Sequence, residues 1–257
     1  MNISTILGLG ILGLLGLLFV LVFFVLMIVF AAAGRSRPAR YLREIPSFAK
    51  LGRAVGLAVE AGQRLHVSLG SGSISGLQGG SALIGFSVLG RIARAASISD
   101  RPPVATSGDG TLAILSQDTL KSAYHATGAD NLYEPTSGQL SGITPFSYAA
   151  GTFPVIYDEQ VSATVLAGHF GSEVALITDA ADRTGSMTLA GSDSIPAQAI
   201  LYATAQEPLI GEELYAAGAY IQAGPMHIAS VRAQDVLRWV LILVILGGVI
   251  LKIAGVL

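Results

Sequence analysis

The 257-residue chain contains no cysteine. Disulfides, thiolate nucleophiles and cysteine-ligated zinc are therefore excluded. Charge is also scarce: Asp, Glu, Lys and Arg make up 12% of the residues, about half of the ~25% usual for globular proteins. Between positions 54 and 231 there are six basic and fifteen acidic side chains, a balance of −9. Such a stretch offers no basic face to phosphates, which argues against nucleic acid as a partner. The four histidines, His66, His125, His169 and His227, are scattered without zinc-ligand spacing. Asp109, Asp179, Asp182 and Asp193 do not form a metal loop either. No metal and no cofactor is expected. The Gly-Lys-Ser/Thr phosphate-loop pattern is missing, and the turn 72–76 carries Ile74 where a nucleophile elbow needs serine.

Long apolar runs, by contrast, are present at both ends. Residues 6–33 carry no charged and no strongly polar side chain. A helix rises about 1.5 Å per residue, so about 20 apolar residues cross a bilayer core. The run is too long for a signal peptide, and no basic residue precedes it. Arg35, Arg37, Arg40 and Arg43 follow it, then Lys50 and Arg53. Basic flanks stay on the cytoplasmic side, so the N-terminus is expected outside and Arg35 inside. Gly10, Gly13 and Gly16 recur every three residues and suit close approach of another helix in lipid. A second apolar segment, 232–257, has Arg238 and Trp239 placed for the membrane interface. It is expected to span as well, with both termini outside; the rival arrangement is a half-inserted hairpin of the two ends. Arg35, Arg37, Arg40, Arg43, Arg238 and Trp239 are the expected membrane-surface residues.

The organisation read from the sequence is a transmembrane helix (1–33), a basic collar and helix (34–61), a cytoplasmic α/β domain (62–231) and a second transmembrane helix (232–257). The collar helix, 47–61, places Phe48, Leu51, Val55 and Val59 on one face, with Ser47 as its cap and Gly62 as its stop. Four strand–turn–helix units follow, with strands at 64–69, 103–106, 162–167 and 186–190. Their turns are 70–76, 107–110, 168–171 and 191–193, and their helices lie at 81–96, 111–127, 172–182 and from Ser194 onward. Four such units imply an α/β fold with a parallel, Rossmann-like sheet covered by helices. The connection 129–160 is expected to be a loop and then a helix, 145–157, interrupted at Pro154. A last helix is expected at 211–222.

Turns at the carboxyl ends of parallel strands face the ligand crevice of an open α/β sheet. The candidate ligand-binding residues are Gly70, Ser71, Gly72, Ser73, Gly76, Ser107, Gly108, Asp109, Gly168, His169, Gly191, Ser192 and Asp193. The first turn, Gly-Ser-Gly-Ser-Ile-Ser-Gly, departs by one residue from the Gly pattern of some dinucleotide folds. The plainer reading is that these residues shape tight turns and cap helices, with Asp109, Ser172 and Ser194 at N-cap positions. His169, the histidine within these turns, is the one candidate general base.

The runs GLAVEAGQRLHVSLGSGSISG, ATSGDGTLAILSQDTLKSAYHATGADNLYEP, VLAGHFGSEVALI and GSDSIPAQAILYATAQEPLIGEELYAAGAYI together resemble a family of bacterial membrane proteins named only as a domain of unknown function. The resemblance runs from about Gly56 to the final span. It implies a bacterial inner-membrane setting and supplies no activity, substrate or catalytic residue.

Three functions are compatible with these features. The first is a homo-oligomeric scaffold, with the sparsely charged domain buried against copies of itself in a ring or array. The second is a small-ligand or nucleotide-binding sensor module that uses the Gly-rich turns. The third is a hydrolase or transferase built on His169. The expected partners are the lipid bilayer, further copies of the chain and other membrane proteins.

Overall fold

The computed structural model describes residues 10–34, 42–76 and 78–255. They form two compact units, one of residues 43–223 and one that joins the two chain ends.

The terminal unit holds helices α1 (Ile11–Gly34) and α9 (Pro225–Ile253), which pack against each other. Both are long and apolar enough to cross a membrane, and neither apolar stretch is buried. Gly13 lies with Leu14, Phe23, Leu26, Met27, Phe30 and Ala31 on a half-buried stripe of α1. Gly10 and Gly16 have open space where a Cβ would stand. Arg35, Arg37 and Arg40 lie outside the described residues.

The other unit is an α/β domain. It contains α2 (Pro46–Glu60), β1 (Arg64–Gly70), α3 (Gly79–Ala96), β2 (Val104–Ser107), α4 (Gly110–Thr127) and β3 (Gly138–Leu140). There follow α5 (Pro145–Asp158), β4 (Val161–His169), α6 (Val174–Arg183), β5 (Met187–Ser192), α7 (Ile195–Thr204), β6 (Glu207–Leu209) and α8 (Glu213–Tyr220). All six strands pair in parallel in the order β3-β2-β1-β4-β5-β6. This is the doubly wound Rossmann order, and its direction reverses between β1 and β4.

Side-chain alternation sorts each strand between two helical layers. Leu65, Val67 and Leu69 of β1 face a core shared with Leu51 and Val55 of α2, Leu89 and Ile92 of α3, and Leu112 and Leu120 of α4. The opposite layer holds Tyr148, Ile156, Val174, Ile177 and Leu201 from α5, α6 and α7, together with Leu166 of β4. At the sheet centre this second face is polar. His66 Nε2 pairs with Thr106 Oγ1 at 2.8 Å, and Thr164 Oγ1 with Ser186 Oγ at 3.1 Å. Cross-strand bonds of this kind offset the cost of burying polar groups.

Several local expectations need correction. The helix after Pro46 starts at that proline, with Ile45 at its N-cap; Ser47 instead donates to Glu207 Oε2 at 2.8 Å. Pro fits the first helical turn because its missing N–H would have no partner there. Pro154 does not interrupt α5. Tyr148, Ala149, Thr152, Val155 and Ile156 are buried on both sides of it, and this packing outweighs the ~3 kcal/mol an internal proline costs. β3 and β6 fall where the sequence reads as connection. They are three-residue edge strands, too short for a period of two to register, and Pro208 is tolerated at an edge. β4 continues through Gly168 and His169 rather than turning there. Glu173, not Ser172, occupies the N-cap position of α6.

Candidate functional site at the topological switch point

The four strand-end turns converge where the strand order reverses. Ser71 N–H donates to the His169 carbonyl at 2.9 Å, and Gly108 N–H donates to the Gly70 carbonyl at 2.8 Å. Glycine is required by closeness. A Cβ on Gly70 would stand 2.1 Å from the His169 carbonyl oxygen, and Gly70 also adopts φ +73°. A Cβ on Gly72 would stand 2.7 Å from the Cβ of His169, so His169 lies over the Gly72 backbone.

His169 Nδ1 is 2.7 Å from Asp193 Oδ1. An ionised carboxylate only accepts, so Nδ1 donates this hydrogen bond. The hydroxyl of Ser81, in the first turn of α3, lies 3.0 Å from Asp193 Oδ2 and 2.8 Å from the Gln78 carbonyl. Ser81 is fully buried, whereas the His169 and Asp193 side chains keep 26% and 14% exposure. Ser81, Asp193 and His169 therefore form a chain running from the protein interior to a solvent-reachable imidazole. Nε2 meets no hydroxyl partner among the described residues, so the arrangement holds the orienting half of a base and no nucleophile beside it.

Near the same end of β1 the buried Tyr148 hydroxyl lies 2.5 Å from Ser68 Oγ, accepts from Gly70 N–H at 3.2 Å and reaches the Thr106 carbonyl at 3.4 Å. Burial raises its pKa, and the Glu173 carboxylate adds to the rise. Glu173 is 1% exposed; Oε1 accepts from Gly171 N–H at 2.8 Å, while Oε2 is buried without a hydrogen-bond partner. Tyr215 of α8 comes within 3.5 Å of where a Gly80 Cβ would be. Burial, then Asp193, raises the Tyr215 pKa, so its phenol stands in the field of that carboxylate.

The remaining sequence candidates have the following places. Asp109 caps α4, accepting from Thr111 N–H at 2.9 Å and Leu112 N–H at 3.1 Å. Ser107 Oγ donates to the Gln139 carbonyl at 3.2 Å. Ser192 Oγ accepts from Phe170 N–H and Ser194 N–H, both at 3.2 Å. Gly168 and Gly191 allow close packing against Leu69 and Leu209. Ser73 pairs with Ser75 in an exposed turn, where Gly76 N–H donates to the Ser73 carbonyl. Ser194 sits at the N-cap of α7 without a side-chain cap bond. Arg43 is ion-paired with Glu213, Arg238 contacts Asp235 at 3.4 Å, and Trp239 is exposed. Sequence reading missed Ser81, Tyr148 and Tyr215. Each lies on a helix or beyond the turn proper, and only tertiary structure brings it to the strand ends.

No group of three or more His, Asp or Glu side chains is placed to hold a metal among the described residues. No curated protein and no solved structure matches the chain. One family model does match, over residues 11–257, and so takes in both terminal helices and the whole α/β domain. The chain belongs to the family described as Domain of unknown function (DUF6754).

Proposed function

We propose that this chain is a membrane-anchored small-ligand-binding module whose site is the crevice between β1 and β4. The observation that carries this reading is the Ser81–Asp193–His169 chain, built at the one point of the sheet where the strand order reverses. Open α/β sheets bind their ligands at that point. The two apolar helices anchor the module. The basic residues after α1 favour a cytoplasmic α/β domain with both termini outside, in the bacterial inner-membrane setting that the family resemblance implies.

The test is native mass spectrometry of the full chain, gently extracted from its own membranes, beside a Gly72→Val variant. The valine intrudes on the His169 Cβ and obstructs the crevice floor. A small molecule released from wild type and missing from the variant is the expected result. Release of the same molecules from both, or of none from wild type, overturns the reading.

A second reading, the homo-oligomeric scaffold, is favoured by a different observation. Ile98, Ile143, Phe146, Ile195 and Tyr202 are each more than two-thirds exposed on a sparsely charged domain. The mass of the extracted particle tests it: a discrete multiple of the chain supports it, and a monomer removes it.

A further inference from the structure

We infer that a second site, between α2, α3 and the end of α8, holds a single fatty-acid chain whose carboxylate is received by Arg91. A cavity of about 270 Å³ opens there, wholly within the α/β domain. Leu51, Gly52 and Val55 of α2 line it, as do Ile92 and Ala95 of α3. The rings of Phe48 and Tyr220, stacked with centroids 5.0 Å apart, complete the apolar wall. Positions 48, 51, 52 and 55 form one helical stripe, so the lining runs about 10 Å along α2. The volume is at the small end of ligand cavities, ~300 Å³ and upward. An elongated apolar space of this size suits one hydrocarbon chain and is too small for a two-chain lipid. It shares no lining residue with the strand-end crevice.

Arg91 sets the sign of the occupant. It is the one charged residue in the lining. Its Nε donates to the Ile221 carbonyl at 3.0 Å, and no carboxylate among the described residues pairs with it. Its two terminal amino groups are left for a further acceptor, and their spacing matches the two oxygens of a carboxylate. Gly52 gives an independent indication. Gly52 and Gly56 both stand inside α2, where glycine is a poor helix former. At either position a Cβ would meet nothing within 4 Å. Gly52 lines the cavity and Gly56 does not, so the missing side chain of Gly52 keeps the space open. The chain ends supply the source. Phe48 follows the end of α1 by fourteen positions, and Gln222, also in the lining, precedes α9 by three. On the membrane-anchored reading above, the cavity is thus tethered close to a bilayer rich in acyl chains.

The experiment is photolabelling of the full chain in phosphatidylglycerol nanodiscs, with decanoate carrying a terminal diazirine as the probe. Mass spectrometry of peptides maps the adducts. Adducts are expected in α2 and α3, and unlabelled decanoate should suppress them. Decyltrimethylammonium, with the same chain and the opposite charge, should not. Adducts on α1 and α9, which meet probe dissolved in the bilayer, serve as the internal reference. Arg91→Gln is expected to lower labelling of α2 and α3 at least about tenfold, and Arg91→Lys, which keeps the charge and loses the fork, to lower it less. Gly52→Leu should lower it at least about tenfold by filling the cavity, whereas Gly56→Leu should change it less than about twofold. Adducts confined to α1 and α9, equal suppression by decyltrimethylammonium, or equal labelling of Gly52→Leu and Gly56→Leu overturn the inference. The first two outcomes are read on the wild-type chain, so they decide the matter even where a variant fails to fold. Native mass spectrometry tells the two proposed sites apart, because a fatty acid held at Arg91 stays with the Gly72→Val variant and a crevice ligand is lost from it.

Discussion

Gly168 and Leu69 are backbone neighbours across the β1–β4 seam, so close that a Cβ on Gly168 would stand 2.0 Å from the Leu69 carbonyl oxygen. The obstacle is main chain in a paired strand, which cannot swing aside as a side chain can. Gly168→Ala is therefore expected to destabilise the domain by about 3 kcal/mol. Gly110→Ala has open space at its Cβ and should be nearly silent. Denaturant unfolding of the detergent-solubilised full chain, followed by circular dichroism, compares the two. Equal stability of the variants would contradict the tight seam.

His66 gives the domain an acid sensitivity. It is wholly buried, and burial lowers its pKa from 6.5 to about 3. The unfolded chain binds a proton that the folded chain refuses. Stability is therefore full above about pH 6.5 and falls as pH drops toward 3, by at most about 1.4 kcal/mol per pH unit. His66→Gln should flatten the decline of melting temperature between pH 6.5 and 4.5. An unchanged slope would assign the acid sensitivity to other groups.

Removing the Tyr148 hydroxyl leaves Ser68 and the Gly70 N–H without a buried partner. Tyr148→Phe is expected to cost about 1–3 kcal/mol. Combining it with Ser68→Ala should cost less than the two single losses added, because one interaction cannot be lost twice. Simple additivity in a double-mutant cycle would deny the pairing.

Asp109 separates cap from ligand. Asp109→Ala removes an acceptor for two N–H groups at the start of α4 and should cost about 1 kcal/mol, whereas Asp109→Asn should be nearly neutral. Thermal melts of the two variants show the difference. A large loss in Asp109→Asn would mean that the charge, rather than the cap, is what the site uses.

Much of this architecture was legible because the residues that specify it are local. Asp109 before α4, Gly128 after it at φ +71°, and short apolar strands followed by small polar turns mark element boundaries within a few residues. The terminal helices are visible through length and apolarity alone. The edge strands β3 and β6 were not legible, since three residues carry no measurable period. The extent of β4 was hidden for another reason: Gly168 reads as a turn in isolation and as a strand residue only beside Leu69. The site followed the same division. His169 ends β4 and Asp193 follows β5, but their pairing spans 24 positions and needs the β4–β5 register to bring them together. Ser81, Tyr148 and Glu173 matter through burial and partners, which composition does not report.

The strand order also divides the domain in time. β1, β2 and β3 pair among themselves, and β4, β5 and β6 do likewise; β1 against β4 is the single ladder joining the halves. During synthesis the first three strands can assemble while β4, which begins at Val161, is still unmade. Until then the inner edge of β1 stands unpaired, with its row of N–H and C=O groups open to any passing strand. The crevice does not exist in either half alone, because Gly72 comes from one and His169 from the other. Closing the seam is thus at once the step that removes the sticky edge and the step that brings Gly72 and His169 together, so a chain with the proposed site formed has already passed its most aggregation-prone stage.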